Sequence, residues 1–281
     1  MTEDEIKDFW NRHPCGEHQV GGVHQYRGDY EAFFEHYDTF RYRREGHILR
    51  CLDGIAFRGK RVLEIGLGQG ADSEQIVRRG GLFSGVDLTP ESVERVRTRF
   101  SVRQLPFGSI VQGSVLALPF DDHQFDFVFS HGVLHHVPDI SRAQREIHRV
   151  LKPDGELIAM LYARWSLNYL VSIGVLRRLG LVLLYLSGLE PGGIVGQHLA
   201  NAREKRLTRY LSMKQFIHRN TDGPLNPYSK VYDLKAVRRD FPSFRVVRSY
   251  KRFMHAPPLY VRWLPLGPQL GWHLWVHLRP V

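Results

Sequence analysis

The sequence predicts an α/β fold built on a mostly parallel sheet, and three observations lead to that prediction. Residues 61–70 (RVLEIGLGQG) form an apolar run that ends in three glycines, and residues 71–79 can continue as a helix. Residues 82–87 form a second apolar run that ends in a carboxylate. Apolar and amphipathic segments then alternate as far as Tyr162. A strand, a glycine turn and a helix in this order form a nucleotide-binding crevice at the carboxyl edge of a parallel sheet.

The composition is that of a globular chain. Of 281 residues, 43% are hydrophobic and 24% are charged, which argues against global disorder. This length can bury one large core, or one core with a sizeable insertion. Lys and Arg number 39 against 29 Asp and Glu, a formal charge of +10. The excess indicates either a solvated basic surface or attraction to phosphate, an anionic membrane face or an acidic substrate.

The cysteines and the first residues favour a reducing, cytoplasmic location. Cys15 and Cys51 are too few for a disulfide framework. The N-terminus is acidic where a secretory signal would be positive, and we expect no apolar run to reach the roughly eighteen residues needed to span a bilayer. His13, Cys15 and His18 lie near one another but lack a second ligand pair with zinc spacing, so we expect no metal.

Residues 1–58 precede the glycine turn and are expected to form an N-terminal cap or substrate segment. Aromatic side chains recur at helical spacing between residues 28 and 50. Such a stripe is typical of a core, whereas a segment in front of a nucleotide fold is typical of a cap over the ligand. For Tyr30 and Tyr37 both interpretations stay open, and we take them as candidate substrate-binding residues.

Residues 59–162 are predicted to be the cofactor-binding core. Thr89 followed by Pro90 is a helix start. Further strands are predicted at residues 109–112, 125–130 and 156–162, with a helix at 141–150. Gly66, Gly68 and Ala71 also satisfy the dinucleotide-binding pattern, and Asp87 suits a ribose in either class of nucleotide. The glycine turn alone therefore leaves the nucleotide open.

Four segments together narrow the class. They are residues 63–70 (LEIGLGQG), 118–126 (LPFDDHQFD), 132–139 (GVLHHVPD) and 149–155 (RVLKPDG). In order and spacing they resemble the class I S-adenosylmethionine-dependent methyltransferases, in the small-molecule group similar to the ubiquinone/menaquinone methyltransferases. The resemblance covers about residues 59–162 and disfavours a dehydrogenase. It implies a Rossmann-like fold with a seven-stranded, mostly parallel sheet, helices on both faces and, in this chain, an inserted lid.

The resemblance implies S-adenosyl-L-methionine as cofactor. By position, the turn from Glu64 to Gly70 should meet its amino-acid part, Asp87 its ribose and Leu88 its adenine face. Many relatives have Asp where this chain has Ser114, so a hydrogen bond to the adenine amino group would lack charge assistance. The candidate cofactor-binding residues are Glu64, Gly66, Gly68, Gly70, Asp87, Leu88, Ser114, Val115 and Ser130.

Histidines follow the fourth predicted strand at its carboxyl end, where the resemblance puts the transferable methyl group. Methyl transfer needs an aligned acceptor and, for a hydroxyl, removal of its proton. A neutral imidazole can accept that proton at neutral pH. We therefore predict His135 and His136 as catalytic residues and His131 as a substrate-binding residue. The alternative for the adjacent pair is a structural turn.

Residues 163–240 interrupt the pattern and are expected to form an inserted lid and substrate loop. Residues 165–189 are apolar but split by Arg177 and Arg178, which predicts a helical hairpin. It could pack on the sheet, roof an apolar acceptor or make a peripheral membrane contact. Residues 218–228 form a polar loop of turns or substrate contacts. The full set of candidate substrate-binding residues is Tyr30, Tyr37, His131, Tyr162, His218 and Asn226.

Residues 241–281 should complete the sheet with two strands, the last of them antiparallel. The predicted function is methyl transfer to a small-molecule acceptor, a hydroxyl of a secondary metabolite, sugar or lipid-like compound. The alternatives are an RNA methyltransferase that uses the basic surface, or a cofactor-binding regulatory module without turnover. Nucleic acid is disfavoured because residues 130–133 (SHGV) differ from the Asn-Pro-Pro-Tyr type of motif. The oligomeric state and the choice between oxygen and nitrogen acceptors stay open.

Overall fold

A computed structural model describes residues 2–281, apart from the side chains of residues 18 and 19. The prediction about a metal at His18 therefore lies partly outside the described residues. Seven strands form one sheet in the order β3-β2-β1-β4-β5-β7-β6. The strands are β1 (Arg61–Ile65), β2 (Leu82–Asp87), β3 (Ser109–Gln112), β4 (Phe125–His131), β5 (Leu151–Tyr162), β6 (Phe244–Arg252) and β7 (His273–Pro280). The first five pair in parallel, and β7 is antiparallel to both β5 and β6. The predicted fold class is confirmed.

Strand β1 is at the centre of the sheet. Leu63 pairs with Ser84 of β2 on one side and with Val128 of β4 on the other. Four of the five β1 residues are buried, as expected for a parallel strand covered by helices on both faces. The strand order reverses between β1 and β4, because β2 and β3 lie to one side and β4 and β5 to the other. The crevice of a doubly wound sheet lies at such a reversal.

Helices cover both faces of the sheet. They are α1 (Glu3–Arg12), α2 (Glu17–Val20), α3 (Tyr30–Glu45), α4 (His47–Asp53), α5 (Ala71–Arg78), α6 (Pro90–Val102), α7 (Ile140–Val150), α8 (Arg177–Ser187), α9 (Gly193–Glu204), α10 (Leu207–Tyr210), α11 (Met213–Arg219), α12 (Leu234–Asp240) and α13 (Gly267–Leu270). Short 3₁₀ helices span Val23–Tyr26 and Leu134–His136. The predicted start of α6 is present, since the Thr89 hydroxyl accepts from the Ser92 amide.

The hairpin predicted for residues 165–189 is wrong. A π-helix, Asn168–Leu176, continues directly into α8, so that Asn168–Ser187 is one helix of 20 residues. Arg177 does not break it, because its guanidinium turns inward and donates to the carbonyls of Asn220 and Pro257. By length and composition this helix could cross a membrane, which corrects the expectation that no segment reaches that length.

The N-terminal segment is attached to the core through Arg99 of α6. This side chain is fully buried and pairs with Glu74 of α5 at 2.8 Å and with Asp38 of α3. Its guanidinium also lies 4.8 Å from the centroid of the Phe34 ring. A cation in this position neutralises two carboxylates that would otherwise repel each other. Arg99 therefore joins α3 to the helices that flank the glycine turn.

We predict that Arg99→Ala lowers the free energy of unfolding by about 3–5 kcal/mol, because it leaves the Asp38 carboxylate unpaired and leaves Glu74 with only its more exposed partners, Arg78 and Arg103. Urea unfolding followed by circular dichroism measures this loss. Arg78→Ala is the matched control, since Arg78 pairs with the same Glu74 at 2.7 Å but has a half-exposed side chain. It should cost about 1 kcal/mol or less. Equal losses in the two variants would contradict the role given to Arg99.

Candidate active site

A cavity of about 1470 Å³ opens at the carboxyl edge of β1 and β4. Single-ligand pockets measure roughly 300–1,000 Å³, so this cavity has room for a cofactor together with an acceptor. Its floor is the glycine turn with the loops that follow β2, β3 and β4. Helix α1 and residues 13–25 cover one side, and the start of α9 with residues 219–225 forms another. Segments far apart in the chain thus enclose one space.

The glycine turn has no room for side chains at two of its three glycines. All three have positive φ. A Cβ on Gly66 would lie 2.1 Å from Val133 Cγ2, and one on Gly70 would lie 3.0 Å from Val96 Cγ2. At Gly68 the nearest atom, Cys15 Cβ, is 3.6 Å away. Gly66 and Gly68 line the cavity, whereas Gly70 faces α6 and not the cavity. Direct contact with a cofactor, predicted for Gly70, does not fit this orientation.

Asp87 stabilises the glycine turn from the end of β2. Its Oδ2 accepts from the Leu67 amide at 2.7 Å, and its Oδ1 accepts from the amide and hydroxyl of Thr89 at 2.8 Å. Burial raises the pKa of this carboxyl, and the hydrogen bonds oppose that shift only in part. Asp87 lines the cavity, so its contact with a ribose stays a prediction.

Of the other predicted cofactor-binding residues, four line the cavity and one does not. Glu64, Leu88, Ser114 and Val115 line the cavity. Burial raises the pKa of Glu64 well above its ordinary range. The Ser114 hydroxyl donates to a Glu3 carboxylate oxygen of α1, so the loop after β3 is joined to the N-terminal helix. Ser130, the exception, is fully buried outside the cavity and donates to the Ile65 carbonyl at 3.1 Å. It links β4 to β1, which corrects its predicted role in binding the cofactor.

An acidic side chain that sequence reasoning missed is at the centre of the cavity. Asp72, in the first turn of α5, lies 2.7 Å from Arg41 Nη2 and 2.6 Å from His131 Nδ1 through its Oδ2 atom. Burial raises the pKa of Asp72, but Arg41 and His131 outweigh it and hold the pKa below its ordinary value. The position of Asp72 directly after the glycine turn was a usable signal. No sequence signal pointed to Arg41, because it lies 31 residues before Asp72 in the chain.

Buried polar atoms without partners belong to side chains that line this part of the cavity. Among the described residues, Arg41 Nε, Gln69 Oε1 and His131 Nε2 are buried without a hydrogen-bond partner. Gly68, next to Gln69, leaves the backbone open to a ligand. Donors and acceptors of this kind fit the carboxylate and ammonium of an amino-acid moiety. Arg41, Gln69 and Gly68 are therefore the residues that would hold that part of S-adenosylmethionine.

His135 does not reach the cavity. The ring is fully buried, and its centroid lies 3.8 Å from that of Tyr162, which does line the cavity. Neither ring nitrogen has a hydrogen-bond partner within residues 2–281. Burial lowers the pKa of His135 well below its ordinary value. A general base must lie within hydrogen-bond reach of the proton it takes, so the predicted catalytic role of His135 does not fit its position.

His136 does line the cavity and is oriented by its surroundings. Its Nδ1 lies 2.7 Å from the Tyr228 carbonyl, which makes Nδ1 the donor and Nε2 the nitrogen that faces outward. Nε2 lies 3.3 Å from Asp222 Oδ2, and Asp222 Oδ1 accepts from the Tyr162 hydroxyl at 2.7 Å. The Trp10 ring of α1 packs edge-on against His136, with 5.2 Å between centroids.

Asp222 was missed because its sequence context, Asp-Gly-Pro, is typical of a turn. Burial raises the pKa of its carboxyl, but the adjacent His136 and the hydrogen bonds from Tyr162 and Thr221 outweigh burial and leave the pKa below its ordinary value. Asp222 is therefore ionised at neutral pH beside His136. The pair forms a second polar site in the cavity, apart from Asp72 and Arg41.

Some of the predicted substrate-binding residues line the cavity and others do not. Tyr37, His131 and Tyr162 line the cavity. Tyr30 does not, and packs instead on Phe34 and Arg95. His218 bonds to the Ser229 backbone, and the Asn226 amide donates to the hydroxyls of Thr221 and Ser229. His218 and Asn226 thus shape the loop that carries Asp222, and substrate contact by these two or by Tyr30 does not fit their positions.

Comparisons with known proteins define the class. Residues 63–159 match a family model described as a methyltransferase domain. The chain is 35% identical over 110 residues to a phthiotriol/phenolphthiotriol dimycocerosates methyltransferase of Mycobacterium leprae, a match that covers 38% of this chain and 40% of that one. It is 31% identical over 149 residues to a malonyl-[acyl-carrier protein] O-methyltransferase of Halorhodospira halophila, covering 51% and 50%. A fatty-acid O-methyltransferase of Mycolicibacterium smegmatis is 36% identical over 99 residues, covering 34% and 35%. The chain spans about half or less of the length of these curated relatives.

Solved structures share the fold across most of the chain. A SAM-dependent methyltransferase from Aquifex aeolicus has a TM-score of 0.53 at 14% identity, covering 90% of this chain and 99% of that one. An S-adenosylmethionine-dependent methyltransferase from Mesorhizobium loti has a TM-score of 0.53 at 17% identity, covering 84% and 97%. Residues 63–159 therefore carry a methyltransferase domain, and the chain has the fold of these S-adenosylmethionine-dependent methyltransferases, which supports S-adenosyl-L-methionine as its cofactor. The resemblance inferred from the four sequence segments is confirmed.

We predict that three glycine-to-alanine variants separate the cofactor site from backbone strain. Gly68→Ala should weaken S-adenosylmethionine binding more than it destabilises the fold, because Gly68 faces the open cavity. Gly66→Ala should mainly lower the Tm, because its Cβ overlaps Val133. Gly59→Ala controls for positive φ alone, since nothing lies within 4 Å of its Cβ, and should cost about 1–2 kcal/mol of stability. Calorimetry with the cofactor and thermal unfolding give the two readouts. Unchanged cofactor affinity in Gly68→Ala would contradict the assignment.

We predict that the free energy of unfolding falls as the pH drops below about 6.5. His47 Nε2 lies 3.0 Å from His273 Nδ1 at the cavity, and burial lowers the pKa of His47 to about 3. The unfolded chain therefore binds the proton first, so stability is complete above pH 6.5 and lost below it. The loss attributable to His47 should be about 2–3 kcal/mol at pH 4.5. Urea unfolding at several pH values measures how the free energy of unfolding changes with pH. This dependence should be weaker in His47→Asn than in the wild type. It should be unchanged in His24→Asn, the control, which alters an exposed ring.

Proposed function

We propose that this chain transfers the methyl group of S-adenosylmethionine to an oxygen of an apolar, lipid-like small molecule, and that His136 with Asp222 takes the acceptor's proton. The observation that carries the proposal is the pair itself. A histidine nitrogen and a carboxylate oxygen lie 3.3 Å apart on the cavity wall, and neither has a hydrogen-bond partner among the described residues. Both atoms are buried, and an acceptor hydroxyl that reached them could donate to either.

The surroundings of the pair support an acceptor with an apolar body. Trp10 packs on His136, and the cavity that both residues line also contains the apolar side chains Ile6, Phe9, Leu116, Val137 and Leu225. Ligand sites of this kind hold the body of a molecule by apolar contact and orient it through a few polar groups. His136 and Asp222 would be the orienting groups here.

The names of the relatives point in the same direction. The three curated relatives are described as acting on phthiotriol dimycocerosates, on malonyl-acyl-carrier protein and on fatty acids. These matches cover half of the chain or less, so they support a lipid-like acceptor without naming one for this protein.

The residues of this chain would act by holding the acceptor and its proton. The bound cofactor supplies an electrophilic methyl group on a sulfonium. The Tyr228 carbonyl holds the proton on His136 Nδ1, which leaves the Nε2 lone pair toward the acceptor. Tyr162 orients Asp222 through its hydroxyl. Nε2 would take the acceptor's proton as the acceptor oxygen displaces the sulfur, which leaves as a neutral thioether, from the methyl carbon, and the adjacent carboxylate would stabilise the imidazolium that results.

We predict that His136→Ala lowers kcat by about 10²–10⁴-fold and leaves cofactor affinity within about twofold. The assay is transfer of labelled methyl from S-adenosylmethionine to a panel of hydroxylated lipids and fatty acids. His135→Phe is the matched control, because it keeps the volume of the adjacent ring and removes two unpartnered nitrogens. It should keep kcat within a few fold.

Three results would overturn the assignment. If both variants lose kcat equally, the adjacent pair acts as a structural turn. If labelled methyl appears in RNA and in no member of the lipid panel, the basic surface and not the apolar cavity selects the acceptor. Cofactor binding with no transfer to any acceptor would favour a regulatory module without turnover.

A further inference from the structure

Large apolar side chains are exposed along one helix of the molecule. Within residues 2–281, exposed apolar side chains such as Leu82, Phe107 and Val247 occur singly, as is normal on protein surfaces, and a smaller group lies at residues 259–266. Between residues 170 and 195 they cluster. We call this cluster the apolar face, and its members are Leu170, Val175, Leu179, Leu183, Leu186, Leu189, Ile194 and Val195.

Helical geometry aligns most of the apolar face. Leu170 and Val175 are five residues apart in the π-helix, and Val175, Leu179, Leu183 and Leu186 follow at intervals of four, four and three. Residues at these spacings lie along one side of a helix. The opposite side carries Ile173 and Leu181, which are buried in a cluster with Phe216 and Trp272. One side of the helix therefore packs on the domain while most of the helix is exposed, which favours a helix that lies along a surface over one that crosses a membrane.

The charge of the chain is concentrated around the same region. Residues 163–240 contain 13 Lys and Arg against 5 Asp and Glu, a net +8 of the chain's +10. Within residues 193–219, immediately after the apolar face, six basic residues accompany one acid. Arg206, Arg209 and Lys214 are exposed there. An exposed apolar stripe next to concentrated positive charge is complementary to a lipid bilayer, which has an apolar interior and, where its headgroups are acidic, an anionic surface.

The apolar face also adjoins the mouth of the cavity. Ile194 is 64% exposed and at the same time lines the cavity, as does Leu225, which is 45% exposed. Of the helix Asn168–Ser187, Arg177 lines the cavity, whereas the apolar face of that helix points to solvent. The helix is thus poorly placed to roof the acceptor, and its apolar residues are available to another surface.

We propose that the apolar face docks the protein on an anionic lipid bilayer, with the helix Asn168–Ser187 lying in the plane of the interface and the cavity mouth opening toward the lipid. An acceptor dissolved in the bilayer could then enter past Ile194 and Leu225. The entry route rests on the function proposed above, whereas the docking itself does not.

The test is flotation of the full chain with vesicles, in the absence of cofactor and acceptor. One set is phosphatidylcholine alone, and the other contains about one third phosphatidylglycerol. The protein should float with the anionic set, less so as the salt concentration rises. Leu183→Ser/Leu186→Ser should lower the partition coefficient at least about tenfold. The matched control, Leu82→Ser/Val281→Ser, removes two exposed apolar side chains elsewhere and should have no effect.

Charge variants test the electrostatic part. Arg209→Glu/Lys214→Glu should weaken binding to anionic vesicles by about tenfold or more. The control Arg145→Glu/Arg245→Glu changes two exposed arginines elsewhere on the surface and should weaken binding much less.

Absence of flotation with either vesicle, or equal flotation of both apolar variants, overturns the proposal. If the wild type instead dimerises in size-exclusion chromatography and Leu183→Ser/Leu186→Ser restores a monomer without any vesicle binding, the face binds a second copy. Labelled methyl transfer to a detergent-dispersed acceptor should be unchanged in Leu183→Ser/Leu186→Ser, so loss of docking is distinguishable from loss of function.

Discussion

The turn between β1 and α5 is the constraint on which the rest of the structure depends. It must reverse direction within a few residues, which requires the positive φ values of Gly66 and Gly68. It must also pass close to Val133 of the loop after β4, leaving no space for a Cβ at Gly66. Asp87 accepts from the Leu67 amide and so holds the turn against the end of β2. Three neighbouring strands therefore present their carboxyl ends at one point, and the cavity forms there.

Around that point the charges are arranged in two separate groups. Arg41, Asp72 and His131 lie beside the glycine turn, where the open backbone suits the amino-acid part of the cofactor. His136 and Asp222 lie on another part of the wall, under Trp10. In each group the charged form of a buried carboxylate is stabilised by a hydrogen-bonded partner. This separation allows one group to bind the cofactor while the other faces the acceptor.

The insertion after β5 gives the molecule a surface unlike the rest. Its inward side contributes Asp222 and the start of α9 to the cavity, and its outward side carries the apolar face and most of the net positive charge. A lipid-like acceptor in an apolar cavity and a lipid-docking surface at its mouth are consistent with each other, because a lipid bilayer would both hold the acceptor and bind the surface.

The sequence by itself determined the fold class, the strand positions and the cofactor. These depend on local features that can be recognised in the amino-acid sequence, namely apolar runs, the glycine spacing and the capping pattern at Thr89. It also placed Glu64, Gly66, Gly68, Asp87, Leu88, Ser114 and Val115 correctly at the cavity. Each of these follows a strand end, and parallel strands bring such ends to the same edge of a sheet.

Only the tertiary structure decided which polar groups meet. Adjacent histidines in a 3₁₀ turn point in different directions, so that His136 faces the cavity while His135 is buried behind Tyr162. Arg41 and Asp222 come from segments before and after the core, and long-range packing brings them to the site. Likewise, Arg177 stays within a continuous helix because two distant carbonyls accept its hydrogen bonds. Contacts between residues so far apart in the chain leave no local pattern, and for that physical reason sequence periodicity could not predict them.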